Sequence, residues 1–104
     1  MEKIVEQGYL FDFYGDLLTE HQKKIYEEAV FNDLSLKELA DEYHVSRQAV
    51  HDIIRRCDII MADYEEKLHL IEKFEQIKNN LIKIKKLSTQ EAINELADAI
   101  LEEL

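Results

Sequence analysis

Arg47, Gln48, His51 and Arg55 recur at steps of one, three and four residues. On a helix that spacing puts them along one side. An arginine can donate two hydrogen bonds to guanine, and a glutamine can pair in the same two-point way with adenine. Lys37 and Arg56 lie close by in sequence, as backbone contacts for a phosphate chain. Ser46 precedes the run and, with the helix start it caps, suits a phosphate. These seven residues are the candidate nucleic-acid contacts. Asp52 shares the same outward side.

Other chemistry is poorly supported. His21, His44, His51 and His69 never stand four residues from one another or from the cysteine, so no zinc pattern forms. Cys57 follows Arg55 and Arg56 but keeps register with Val50, Ile53 and Ile54, the spacing of a buried structural thiol. The acidic pairs Glu27–Glu28, Glu65–Glu66 and Glu102–Glu103 are adjacent, so on a helix they diverge by about 100° and make no acid–base pair. No glycine-rich phosphate loop or nucleophile motif is present. The expectation is a protein that is not an enzyme, with no catalytic residue, no cofactor and no metal.

The elements that must position the seven residues are helical. The 104 residues include two glycines, Gly8 and Gly15, and no proline. Thr19 with Gln22 forms a capping box, and Ile25, Tyr26, Ala29 and Val30 follow at helical spacing until Asn32 and Asp33 close the helix. Ser35 with Glu38 starts the next helix, whose apolar side is Leu36, Leu39, Ala40 and Tyr43. A tight turn through Tyr43, His44 and Val45 comes next, with Val45 filling the angle between helices and Ala40 small enough for a close crossing. Ser46 caps the following helix, which turns Ala49 and Val50 inward. This is the logic of a helix-turn-helix over about residues 35–57.

Flanking segments extend the pattern. Residues up to Tyr14 form a first helix, apolar almost all round near its end, with Gly15 as terminator. Beyond Cys57, apolar residues continue from Ile60 through Leu87 in steps of three and four. They predict a long fourth helix with room for one break near Met61 to Lys67. Ser88–Thr89 opens a last amphipathic helix, Glu91 completing a box from Ser88, with Ile93, Leu96, Ala97, Ile100, Leu101 and Leu104 as its stripe. The expected fold is all-α with about five helices. Residues 1–58 form the helix-turn-helix domain, and residues 59–104 an arm for self-association as a homodimer.

Charge limits the partners. The net charge of −10 disfavours a phosphate ligand over most of the surface. Residues 34–58 are nearly neutral and residues 73–86 carry five lysines against one glutamate, whereas both ends are strongly acidic. The five lysines, Lys73, Lys78, Lys83, Lys85 and Lys86, read as the wet side of a packed helix. No apolar run is long enough for a membrane span, no secretory signal is present, and a lone cysteine fits a cytoplasmic protein.

The segment from Leu17 to Arg56 resembles the fourth region of bacterial sigma factors. Nearly the whole chain is similar to the YlxM family of small bacterial proteins, on GYLFDFYGDLLTEHQ at Gly8–Gln22, LSLKELADEYHVSRQAVHD at Leu34–Asp52 and YEEKLHL at Tyr64–Leu70. Members of that family are typically encoded beside the GTPase of the signal recognition particle and its receptor. The resemblance implies a sigma-like helix-turn-helix acting in that protein-targeting pathway. Duplex DNA, the RNA of the particle and its GTPase are the implied partners. The alternative is an adaptor that modulates the GTPase through an acidic surface without touching nucleic acid.

Overall fold

The computed structural model describes residues 2–104, and every regular element among them is helical. Helix α1 spans Lys3–Tyr14 and runs into a 3-10 turn at Gly15–Leu17. Helix α2 spans Glu20–Tyr26, α3 Leu36–Tyr43, α4 Arg47–Leu68, α5 Leu70–Leu87 and α6 Glu91–Glu103. The chain forms two compact units, Met1–Leu68 and His69–Leu104. Six α-helices stand among the described residues where about five were expected, because the long apolar pattern after Ser46 is divided in two.

The division falls at His69, just beyond the stretch expected to break. Its backbone is left-handed, with φ 55° and ψ 31°. Two other non-glycine residues share this conformation, Asp33 at φ 55° and His44 at φ 56°. Asp, Asn and His tolerate the left-handed region better than branched residues, so each of the three can reverse a helix end without glycine.

Within Met1–Leu68 the starts of helices are set locally. Thr19 Oγ1 accepts from Gln22 N–H at 3.1 Å while Thr19 N–H donates to Gln22 Oε1 at 3.1 Å, a complete capping box. Ser35 Oγ accepts from Glu38 N–H and Ser46 Oγ from Ala49 N–H. Helix α2 widens into a π-helical turn at Glu27–Phe31 before it closes at Asn32. Leu34 N–H then donates to Glu28 C=O, wrapping the chain around Asp33.

The helix-turn-helix core is Ile25, Leu39, Ala40 and Val50, all buried, with Ala29, Leu34, Tyr43, Ile53 and Ile54 packed around them. Two side chains depart from expectation. Leu36 is 38% and Val45 39% exposed, so neither is a core plug. The turn is instead closed by backbone: His44 N–H and Val45 N–H both donate to Ala40 C=O. Ala40 thus closes the turn as well as allowing the crossing.

A second buried group joins α1 to α2 and α4: Leu10, Tyr14, Leu18, Tyr26, Cys57 and Met61. Gly15 ends α1 by a different route from the one expected. Its φ is −57°, so left-handed freedom is not used. A Cβ there would sit 3.0 Å from the Phe11 ring, so any larger residue would push that ring back by a few tenths of an ångström. Phe11 in turn stacks on Tyr26, with ring centroids 5.5 Å apart.

Cys57 lies inside this group with its thiol 4.0 Å from Gln22 C=O. Burial, reinforced by Asp58, pushes the thiol up to about 11. Burial and the Asp58 bond also hold the Tyr26 phenol far above its ordinary value of 10. Both groups are raised, so the unfolded chain releases these protons at lower pH than the folded one. The contribution of Cys57 is therefore complete below about pH 9 and is lost as pH climbs through about 11, while that of Tyr26 begins to fall only above about pH 10. Urea unfolding midpoints are expected to hold up to about pH 9 and to fall above it. Cys57 is also expected to resist Ellman's reagent at pH 8 until the chain is denatured, and rapid labelling of the native protein would contradict this placement.

Helices α5 and α6 form an antiparallel hairpin, with Leu81 and Ala97 buried between them. Lys85 Nζ pairs with Asp98 Oδ1 at 2.5 Å across it. The start of α6 differs from the Ser88 box. Ser88 N–H closes α5 on Ile84 C=O, and its Oγ accepts from Gln90 N–H, so the serine orders the connecting turn while Gln90 precedes the helix.

Candidate nucleic-acid interface

Val50 is buried against Ile25 and Leu39 and thereby sets the rotation of α4. With Val50 inward, helical spacing turns Gln48, Asp52 and Arg55 outward, flanked by Arg47 and His51. All five are exposed, as are the other expected contacts, Lys37, Ser46 and Arg56. Arg56 lies about 100° round α4 from Arg55, on the flank away from His51. Lys37 stands in the first turn of α3. The fold therefore gathers Arg47, Gln48, His51 and Arg55 on one surface and leaves Lys37 and Arg56 as flanking charges.

The first turn of α4 is prepared for an anion. Ser46 Oγ takes Ala49 N–H at 3.0 Å, and Ser46 C=O takes Val50 N–H at 3.2 Å. The amide protons of Arg47 and Gln48 then remain at the positive end of a 22-residue helix. The Ser46 hydroxyl still has its own proton to donate.

Among the described residues, Lys37, Arg47, Arg55 and Arg56 form no ion pair with a carboxylate of this chain. Their charges are not spent internally. Asp52 is engaged instead with its neighbours. Gln48 Nε2 donates to Asp52 Oδ1 at 2.9 Å, and His51 Nδ1 lies 3.8 Å from the same oxygen. The Gln48 amide keeps its carbonyl and a second N–H, enough for a two-point contact with adenine. Ile59, 60% exposed, continues the Gln48–Asp52–Arg55 stripe by one more turn. The step of four from Arg55 is the signal that would have found it. An aliphatic side chain there can contact a sugar or a thymine methyl.

Hydrogen bonds to two carboxylates, which sequence reading missed, hold α4 in place. Tyr26 Oη donates to Asp58 Oδ1 at 2.5 Å, and Gln7 Nε2 donates to both Asp58 oxygens at 3.1 and 3.3 Å. Tyr14 Oη donates to Glu65 Oε1 at 2.5 Å. Asp58 and Glu65 are seven residues apart, on the side of α4 turned to α1 and α2. The available signal was a carboxylate in register beside the buried Cys57, which needs a donor to be half-buried. Tyr26 has no exposed surface, so Tyr26→Phe leaves Asp58 short of a donor and is expected to cost about 1.5–3 kcal/mol. Chemical denaturation checks this; an unchanged midpoint would show that the bond does not brace the helix.

No helix among the described residues is long and apolar enough to cross a membrane, and no group of three or more His, Cys, Asp or Glu side chains there is placed to hold a metal ion.

Comparison with known proteins agrees with this architecture. Residues 1–100 match the model of the UPF0122 family, described as "Putative helix-turn-helix protein, YlxM / p13 like". A UPF0122 protein of Shouchella clausii is 46% identical over 104 residues, covering 96% of this chain and 95% of the relative. One from Bacillus pumilus is also 46% identical, covering 100% of this chain and 94% of the relative. A third, from Halalkalibacterium halodurans, is 43% identical over 100% of this chain and 95% of the relative. With the match running nearly end to end and the helix-turn-helix in place, this chain belongs to the UPF0122 family of YlxM / p13-like helix-turn-helix proteins.

Proposed function

We propose that the protein is a non-enzymatic regulatory factor that binds nucleic acid through the first turns of α4 and acts in the cytoplasm on the signal-recognition-particle pathway. The observation that carries the reading is the set of exposed cations on α3 and α4, which have no carboxylate partner among the described residues and stand beside a capped helix end. Lys37, Ser46 and Arg56 contact phosphates in this reading. Arg47, Gln48, His51 and Arg55 reach base edges. The sigma-like sequence from Leu17 to Arg56 supports duplex DNA as ligand, and the pathway reading supports the RNA of the particle. Residues 1–58 supply the recognition surface, and residues 59–104 supply self-association as a homodimer.

The acidic surface favours a second reading. The first 33 residues carry eight acidic and three basic side chains, a surface suited to a basic protein. In that reading the chain is an adaptor on the particle's GTPase. Gel-shift titrations at low salt with duplex DNA and with the particle's RNA separate the two. A shift with either supports the first reading. Absence of both, together with binding to the GTPase that survives Arg47→Ala with Arg55→Ala, establishes the adaptor and overturns the first.

A further inference from the structure

The hairpin of α5 and α6 hides little of its own apolar surface. Leu81 and Ala97 are buried, whereas Ile77, Ile84, Leu87, Ile93, Leu96 and Ile100 are all exposed, Leu96 by 66% and Leu87 by 85%. The two exposed stripes are on the same side of the hairpin. With about 100° of rotation per residue, Ile77 and Ile84 lie to one side of Leu81, the residue of α5 that faces α6. Ile93, Leu96 and Ile100 lie displaced in the same rotational sense from Ala97, which faces α5. Because the helices are antiparallel, equal rotational displacements point to one common face. The result is a continuous apolar surface of roughly several hundred Å², larger than a lone 36-residue unit is expected to leave to water.

Charge separates the two helices that make this face. Helix α5 carries five lysines against Glu72 and Glu75. Helix α6 carries five acidic residues and no basic one. Such a face matches itself when rotated about an axis parallel to the helices, since α5 of one copy then covers α6 of the other. Rotation about an axis across the helices would instead set lysine-rich α5 on α5 and acidic α6 on α6.

We propose that the α5–α6 face is covered by the same face of a second copy, in an antiparallel four-helix bundle with α5 of each copy on α6 of the other. This deepens the self-association reading and is independent of what α4 binds. Every neighbouring pair of helices in the bundle is antiparallel, which also suits the helix dipoles. Burial of the face from both sides approaches the roughly 800 Å² per partner typical of a stable complex. His69 precedes α5 in each copy, so both chains enter the bundle at the same end.

Sedimentation equilibrium of the full chain at tens of micromolar is expected to give the dimer mass. Leu96→Glu with Ile100→Glu is expected to weaken the dimer at least 100-fold with helical circular dichroism unchanged, because both residues are exposed in the single chain. Leu96→Gln gives a milder weakening in the same direction should the double variant lose helicity. Orientation is read by mild oxidation. Copies with Ile84→Cys mixed with copies carrying Leu96→Cys cross-link to each other, and neither cross-links to itself; Cys57 is buried and takes no part. A monomeric wild-type chain, a dimer indifferent to these variants, or self-cross-linking of either cysteine copy would overturn the arrangement.

Discussion

Replacing Arg47 and Arg55 together by alanine is expected to weaken nucleic-acid binding about 100-fold, on the basis of about 1–3 kcal/mol for each good two-point base contact. Both side chains are exposed, so the substitutions remove charge and donors without opening the core. Helical circular dichroism and the unfolding midpoint should therefore stay where they are. Neither arginine has a carboxylate partner among the described residues, so no buried acid is left uncompensated. Lys37→Ala is expected to act differently. A flanking charge that meets only phosphate lowers affinity for all sequences alike and by less, and Arg56→Ala should resemble it. Anisotropy titrations with matched and scrambled duplexes, and with structured RNA, distinguish the two classes. Equal effects of all four substitutions would place the cations in a diffuse field and not in a reading surface.

Leu39→Ala has the largest expected effect on stability, a loss of about 3–4 kcal/mol. Leu39 is fully buried between α2 and α4, and its core partners are Ile25, Ala40 and Val50. The cavity has few side chains able to relax into it, since Ala40 is small and the turn after it is held by backbone bonds to Ala40 C=O. For a unit of this size, total stability is on the order of 5 kcal/mol, so the variant should keep only about 1–2 kcal/mol and melt roughly 15–30 °C lower. Thermal denaturation monitored by circular dichroism checks this. A midpoint lowered by only a degree or two would mean that the helix-turn-helix is not packed on Leu39.

Locally determined features were legible from sequence. Thr19, Ser35 and Ser46 begin their helices as their side-chain chemistry demands, and the inner side of α4 follows the spacing of Val50, Ile53, Ile54 and Cys57. Long-range features were not. Tyr26 and Asp58 are 32 residues apart, and nothing in either neighbourhood announces their bond. Val45 was expected inside because a branched aliphatic residue in a tight turn usually fills a gap; backbone hydrogen bonds do that work here, and Val45 stays 39% exposed. The division between α4 and α5 was hard to place because histidine carries no strong signal for left-handed backbone. Ser88 looked like a helix cap because a serine that orders a turn and one that starts a helix share the same local sequence.

The candidate contacts themselves came from spacing, and the fold adds how they are held. Val50 fixes the rotation of α4, Asp58 and Glu65 brace its inner side, and Asp52 engages Gln48. An acidic chain can then present a small cationic surface without neutralising it internally. At physiological salt, charges more than about 8 Å from that surface act on it only weakly.

The salt dependence of binding tests the central claim most directly. The affinity of the wild-type chain for duplex DNA, or for the RNA of the particle, is measured by anisotropy between about 50 and 200 mM salt. The account predicts measurable binding whose logarithm falls linearly with the logarithm of salt concentration, with a slope corresponding to about three or four phosphate contacts. It also predicts a slope reduced by about one in Lys37→Ala. Absence of binding to either nucleic acid at the lowest salt, or binding with no salt dependence, would contradict it.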